Sequence, residues 1–128
     1  MEPASVTANA GQRHEAEEAR EVNAAVRAWA AAWARKDMDA YVGAYIPGFS
    51  GTDASAAAWR AGRTARIAGK NRISVELSGL TVELTPYGAR ASFRQEYSGD
   101  SLNVSSGKTL ELVKRNGKWL IRKETVGS

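Results

Sequence analysis

The chain has 128 residues, none of them cysteine, with 43% apolar and 25% charged side chains and a formal charge of +4. A chain of this length and ordinary globular composition buries roughly two thirds of the surface its unfolded form exposes, enough for one core. No apolar run approaches the roughly 18 residues of a membrane span. The absence of cysteine excludes a disulfide framework and thiol catalysis, and a single histidine, His14, leaves no zinc ligand set of the usual kind.

Charge is unevenly spread. Residues 1–58 carry 5 basic and 8 acidic side chains (−3) and residues 59–128 carry 13 and 6 (+7), so an anionic partner is conceivable. The N-terminus, MEPASVTANAGQ, has neither a basic start nor an apolar h-region. As it stands it predicts no secretory signal and a cytoplasmic setting; a fragment of a longer protein would instead suit the periplasm or cell envelope.

Residues 1–12 are small and polar without periodicity and read as a flexible tail, with one domain over 13–128. From about Arg13 the pattern is helical. Val22, Val26, Trp29 and Trp33, at steps of four, three and four, form one narrow stripe that must bury against something large. His14 reads as a solvated residue near Glu18. Lys36 and Asp37 end this helix, and Asp37 is placed to cap a second one, Met38–Ile46, stopped by Pro47-Gly48. Thr52 or Asp53 is the expected cap of a third helix, about Ala54–Ala68, with Trp59, Arg63 and Ile67 along one side and Arg60, Arg63 and Arg66 in a basic row.

After Gly69 the period changes to two. Ile73, Val75 and Leu77 sit at odd positions and Leu80, Val82 and Leu84 at even ones, so one strand keeps its apolar face inward only with an extra residue near Ser78-Gly79. This predicts a β-bulge and a strongly bent sheet. Thr85–Gly88 reads as a turn, Ala89–Tyr97 as a strand, Ser98–Ser106 as a loop, and Lys108–Lys114 and Trp119–Val126 as strands joined by the hairpin signal Asn116-Gly117. The expected architecture is α+β: three N-terminal helices packed on the concave face of a strongly bent, mainly antiparallel sheet.

Strand parity sorts the charges. Glu76, Glu83, Glu96 and Glu111 fall opposite the apolar faces of their strands, and Arg94, Glu96, Glu111, Arg122 and Glu124 read as a mixed outer face. Gln95, Tyr97 and Lys108 are expected inside, with Arg63 reaching in from the third helix. A buried cation needs a partner, which suits an anionic or carbonyl-bearing ligand; the competing reading pairs Lys108 and Arg63 with Asp37 or Glu124. Nucleic-acid binding by Arg60, Arg63, Arg66, Lys70, Arg72, Lys114, Arg115, Lys118, Arg122 and Lys123 is disfavoured, because the aromatics that should interleave with them read as buried.

The run Trp29, Trp33, Lys36-Asp37-Met38-Asp39, Tyr41, Tyr45 and Phe49, then Trp59 and Arg63, then Phe93-x-Gln95-x-Tyr97, Lys108-Thr109-Leu110 and Gly117-Lys118-Trp119-Leu120-Ile121, resembles the nuclear transport factor 2-like superfamily. The resemblance covers nearly everything from Glu15 to Val126. It is strongest to small bacterial domains of unassigned function, some attached to cell-envelope proteins. It implies a cone-shaped fold with a cavity between helices and curved sheet, often in a homodimer.

The superfamily includes ketosteroid isomerases and SnoaL-like cyclases, which need a carboxylate base and oxyanion donors. Here the family's catalytic tyrosine falls on Trp29, its base near Asp53 and its second aspartate near Leu110 or Glu111, so two of three roles are missing or misdirected. The expected function is therefore a small-molecule-binding or accessory domain, with Trp33, Tyr41, Tyr45, Trp59, Arg63, Gln95, Tyr97 and Lys108 lining the pocket, and no metal or cofactor. The alternatives are an isomerase or cyclase using Asp53 as base, and a structural or dimerising module.

Overall fold

The computed structural model describes residues 3–127, with side chains from Gly11 onward. Helix α1 spans Pro3–Arg35, so it runs through most of the segment expected as a tail. Its Val22, Val26, Trp29 and Trp33 stripe is buried as the spacing demands, whereas Gly11–Glu17 are exposed. His14 lies 3.6 Å from Glu18 on that exposed stretch. Lys36 turns the chain at φ 61° and its ammonium donates to the Lys70 carbonyl at 2.7 Å.

Helix α2, Met38–Gly43, is capped by Asp37, whose Oδ1 accepts from the Ala40 amide at 3.2 Å. It stops short of the expected Ile46 because the next backbone groups are taken by a strand: Ile46 N–H donates to Ile121 and Ile121 N–H donates to Ala44. Helix α3, Ala56–Ala68, starts later than expected and is capped by Ser55, whose Oγ accepts from the Ala58 amide at 3.0 Å, not by Thr52 or Asp53. Positive φ at Gly48 and Gly51 makes the chain turn before the helix begins, which leaves Asp53 exposed in the loop.

Four strands, β1 (Ile73–Thr85), β2 (Gly88–Gly99), β3 (Leu102–Arg115) and β4 (Lys118–Gly127), pair antiparallel in sequence order. The expected bulge is present: register shifts between Ser78 and Thr81, with Gly79 at φ 62°. Val75 and Leu77, then Val82 and Leu84, consequently oppose the β2 residues Tyr97, Gln95, Ala91 and Ala89. The expected loop Ser98–Ser106 is instead the end of one strand and the start of the next around a tight turn. Ser98 pairs with Asn103 and Gly99 with Leu102, because Asp100 adopts φ 54° and its Oδ1 accepts from the Asn71 and Arg72 amides. Asn116 and Gly117, at φ 53° and 76°, make the predicted hairpin turn.

A second register shift, not predicted, lies in β4. Leu112 pairs with Ile121 but Glu111 pairs with Lys123, so Arg122 is extra. Trp119 and Ile121 face the core before it; Glu124 faces the core after it. The helices and the bent sheet thus enclose a core dominated by aromatic rings, the cone of an α+β fold.

Candidate functional site

At the centre of the cone is an ion pair. Lys108, in the middle of β3, donates to Glu124 Oε2 at 2.7 Å, and the two side chains are 5% and 6% exposed. The ammonium also lies 5.4 Å from the Trp29 ring and 5.3 Å from the Trp33 ring, where the ring faces attract a cation. The bulge at Arg122 reverses the parity of β4, which corrects the placement of Glu124 on the outer face. Of the two acids weighed as partners for Lys108, Glu124 fills the role; Asp37 caps α2 and faces Arg35 at 3.4 Å.

The other carboxylate oxygen, Oε1, accepts from the Tyr45 hydroxyl at 2.8 Å and faces Arg63 at 3.9 Å. The Trp29 indole donates to the Tyr45 oxygen at 3.0 Å, and the Tyr41 and Tyr45 hydroxyls lie 3.2 Å apart. Tyr45 has one proton, and the carboxylate is the stronger acceptor. Burial raises the Glu124 carboxyl, but Lys108, Arg63 and Tyr45 outweigh it and hold the pKa below the ordinary value of 4.5. Burial, reinforced by the negative neighbour, drives the Tyr45 phenol well above its ordinary value, and burial likewise raises Tyr41. Glu124 is therefore ionised and both phenols are neutral, which is the most stable assignment of protons to this cluster.

Seven of the eight expected pocket residues, all but Gln95, touch one another in one connected cluster. Trp33 stacks on Tyr97 at 5.2 Å, and Tyr45 meets Trp59 edge-on at 4.6 Å with Phe49 at 4.7 Å. The Tyr97 hydroxyl lies over Gly99, where any Cβ would collide with it. Gln95 is buried on β2, paired with Leu77 and Ser106, and its Oε1 has no hydrogen-bond partner among the described residues; the Trp59 indole N–H is likewise buried and unpartnered among them. Arg63 reaches the cluster from α3 and lies over the Trp59 ring at 5.9 Å.

Asp53 is not among these contacts. It is exposed, and it lines a cavity of about 600 Å³ between the 46–53 segment, α3 and β4, together with Phe49, Trp59, Arg63, Arg66, Lys123 and Glu124. A larger groove of about 1380 Å³ opens on the other side of Trp59 and Phe49. Trp33, Tyr41, Gln95, Tyr97 and Lys108 line neither; they lie behind the ring wall.

The isomerase roles are not gathered. Trp29 gives its only N–H to Tyr45, Leu110 is fully buried, and Glu111 accepts from Arg122 at 2.8 Å. Sequence reasoning missed Ser55 as the cap and Arg66 as a cavity residue. It set Glu124 on the outer face while also offering it as a partner for Lys108, and no alternation of apolar residues marks the change of parity, because Val126 beyond the bulge is exposed.

Residues 21–125 match the family described as Cds6 C-terminal NTF2-like domain. The chain belongs to this family. No curated protein matches the sequence. Among solved structures, the NTF2-like domain is similar to Bdellovibrio bacteriovorus Bd1075, with a TM-score of 0.77 and 20% identity over 84% of this chain and 39% of that one. It is also similar to an NTF2-like protein of unknown function from Pseudomonas putida, with a TM-score of 0.75 and 18% identity over 89% and 87% of the two chains. A third is the helical cell shape determining protein Pgp2 from Campylobacter jejuni, with a TM-score of 0.66 and 19% identity over 80% of this chain and 38% of that one. The chain therefore spans less than half of Bd1075 and of Pgp2, and at these identities the likeness is one of fold. No helix among the described residues is long and apolar enough to cross a membrane.

Proposed function

We propose that this NTF2-like domain is a non-catalytic binding module for a small anionic molecule, received in the cavity between the 46–53 segment, α3 and β4. The observation that carries the reading is the spare donor capacity of Arg63. Its guanidinium reaches Glu124 only at 3.9 Å, while Lys108 and Tyr45 hold that carboxylate at 2.7 and 2.8 Å. A guanidinium has five N–H donors in a fixed fork that matches a carboxylate or phosphate. Arg66 lines the same cavity without an ion-pair partner among the described residues.

Phe49 and Trp59 supply an apolar flank, and the volume of about 600 Å³ lies in the range typical of small-molecule sites, roughly 300–1,000 Å³. Trp59 and Arg63 touch the ligand in this reading. Tyr45 and Lys108 act behind them by holding the Glu124 carboxylate, which also lines the cavity, in a neutralised pair, and Trp33, Tyr41, Gln95 and Tyr97 form the packed wall. Bd1075 and Pgp2, both longer chains, contain a like fold as one part, which supports an accessory role beside other domains.

Ligand-observed NMR with aryl carboxylates and aryl phosphates against their uncharged amide and alcohol analogues tests this. The anions should bind and the neutral analogues should not, and Arg63→Gln should weaken binding about tenfold, equivalent to ~1.4 kcal/mol. Equal binding of the neutral set would sink the reading. Asp53 lines the same cavity, so an isomerase or cyclase remains the second reading. Conversion of a bound compound, lost in Asp53→Asn, would transfer the site to it.

A further inference from the structure

The larger groove, on the far side of Trp59 and Phe49, has no part in that reading. One wall is the outward face of α3, where Ala57, Ala61 and Ala65 leave a low surface; the other is the β3–β4 hairpin. The floor is apolar, made by Val42, Ile46, Pro47 and Leu120 with the buried rings beneath. At about 1380 Å³ it exceeds the roughly 300–1,000 Å³ of ordinary small-molecule sites. Its size therefore fits a stretch of polypeptide better than a metabolite.

Charge narrows the occupant. Arg60 stands on the α3 wall, and Arg115 and Lys118 flank the hairpin turn; all three are exposed and none has an ion-pair partner among the described residues. No aspartate or glutamate among the described residues lines the groove. Exposed cations without a carboxylate partner among the described residues also occur elsewhere, at Arg66 and Arg72 for example, so what sets this groove apart is the lack of acid in its lining: the cavity beside it carries Asp53 and Glu124. An apolar trough with cations on both rims and no acid complements an amphipathic helix whose apolar stripe is bordered by carboxylates.

The acidic start of this chain's own α1 does not meet that description. Its Glu15, Glu17 and Glu18 have between and beside them only Ala16 and Ala19, too little apolar surface to fill the floor. Nucleic acid is the other polyanion, but the rings at the floor are buried and offer no stacking face.

We propose that the groove between α3 and the β3–β4 hairpin docks an acidic amphipathic helix of a partner protein. The test is fluorescence anisotropy with a labelled peptide of about five helical turns, carrying Leu at i, i+3, i+4 and i+7 positions and Glu on both flanks. A second peptide with every Glu replaced by Lys, and a single-stranded oligonucleotide, serve as competitors. The acidic peptide should bind saturably, more weakly as salt rises, and the double variant Arg60→Glu/Lys118→Glu should weaken it at least tenfold. Arg63→Gln, in the neighbouring cavity, should leave it unchanged. Arg60 and Lys118 are both exposed, so circular dichroism of the double variant should match the unsubstituted protein. Failure of the acidic peptide to bind, equal binding of the basic peptide, or indifference to the double variant would overturn the proposal. So would displacement of the peptide by the oligonucleotide with higher affinity, which would give the groove to nucleic acid.

Discussion

Lys108 and Glu124 are the residues on which the interior depends. Two charges taken out of water are tolerable because each satisfies the other and because Tyr45 and Arg63 complete the carboxylate's shell. Lys108→Met removes the strongest of these partners. Breaking a buried pair typically costs about 3–5 kcal/mol. The Tyr45 hydroxyl and Arg63 remain, so the loss is expected near the lower end, about 3 kcal/mol. Lys108→Met/Glu124→Leu should recover most of it, since replacing both members leaves no uncompensated charge. Urea unfolding of the two variants decides the matter, and a Lys108→Met protein as stable as the parent would show that water reaches Glu124. Parity made Lys108 legible in the sequence. Its partner was legible only as one of two acids, Asp37 or Glu124, because a lone glutamate after Ile121 carries no periodic signal of its own, and only the bulge makes it an interior residue.

The two bulges show what elements disclose and what they conceal. In β1 three apolar residues stand on each side of the break, so the change of parity is visible in the letters and the bend follows from it. In β4 the residues after the break are polar except Val126, and their inward facing is decided by the ion pair instead. The Ser98–Ser106 segment misleads for the opposite reason. Its turn-forming composition conceals a regular ladder whose outward Arg94, Ser105 and Glu96 bond to one another across the strands. The helices were legible in kind and order, while their ends were set by contacts that no local pattern encodes, such as the β4 backbone taking over from α2. Gly79 tests the β1 bulge directly. Its φ is 62° and a Cβ there would meet nothing within 4 Å, so any cost of substitution is backbone strain alone. Gly79→Ala should destabilise by about 1–2 kcal/mol and Gly79→Asn by less, because asparagine tolerates the left-handed region. Thermal unfolding should order them parent, Asn, Ala; an unchanged midpoint for Ala would mean the bulge does not need that conformation.

At the scale of the whole molecule the acid limit of stability should be set by the interior and not by the surface. Glu124 and Glu21 both have carboxyl pKa values held below the ordinary 4.5. Glu21, bonded to the Trp119 indole and to Lys114, is solvated, so salt screens its charge. Glu124 is enclosed and is screened far less. A carboxylate whose folded-state pKa lies below its unfolded value contributes stability that is complete above the unfolded value and is lost as pH falls through the folded one. Unfolding free energy should therefore be level from about pH 5 to about pH 9, below the range in which the raised Tyr41 and Tyr45 phenols titrate, and fall progressively below about 4.5. In high salt most of that decline should persist in the parent protein. Glu124→Gln should be less stable near neutrality, because a neutral amide cannot balance Lys108, and should show a shallower decline in acid. The two curves should converge as pH drops, because the protonated carboxyl of Glu124 and the amide that replaces it in the variant are then alike in charge. Parallel curves across the whole range would mean that the ion pair at the centre of the cone does not govern acid stability, and the surface carboxylates would have to account for it.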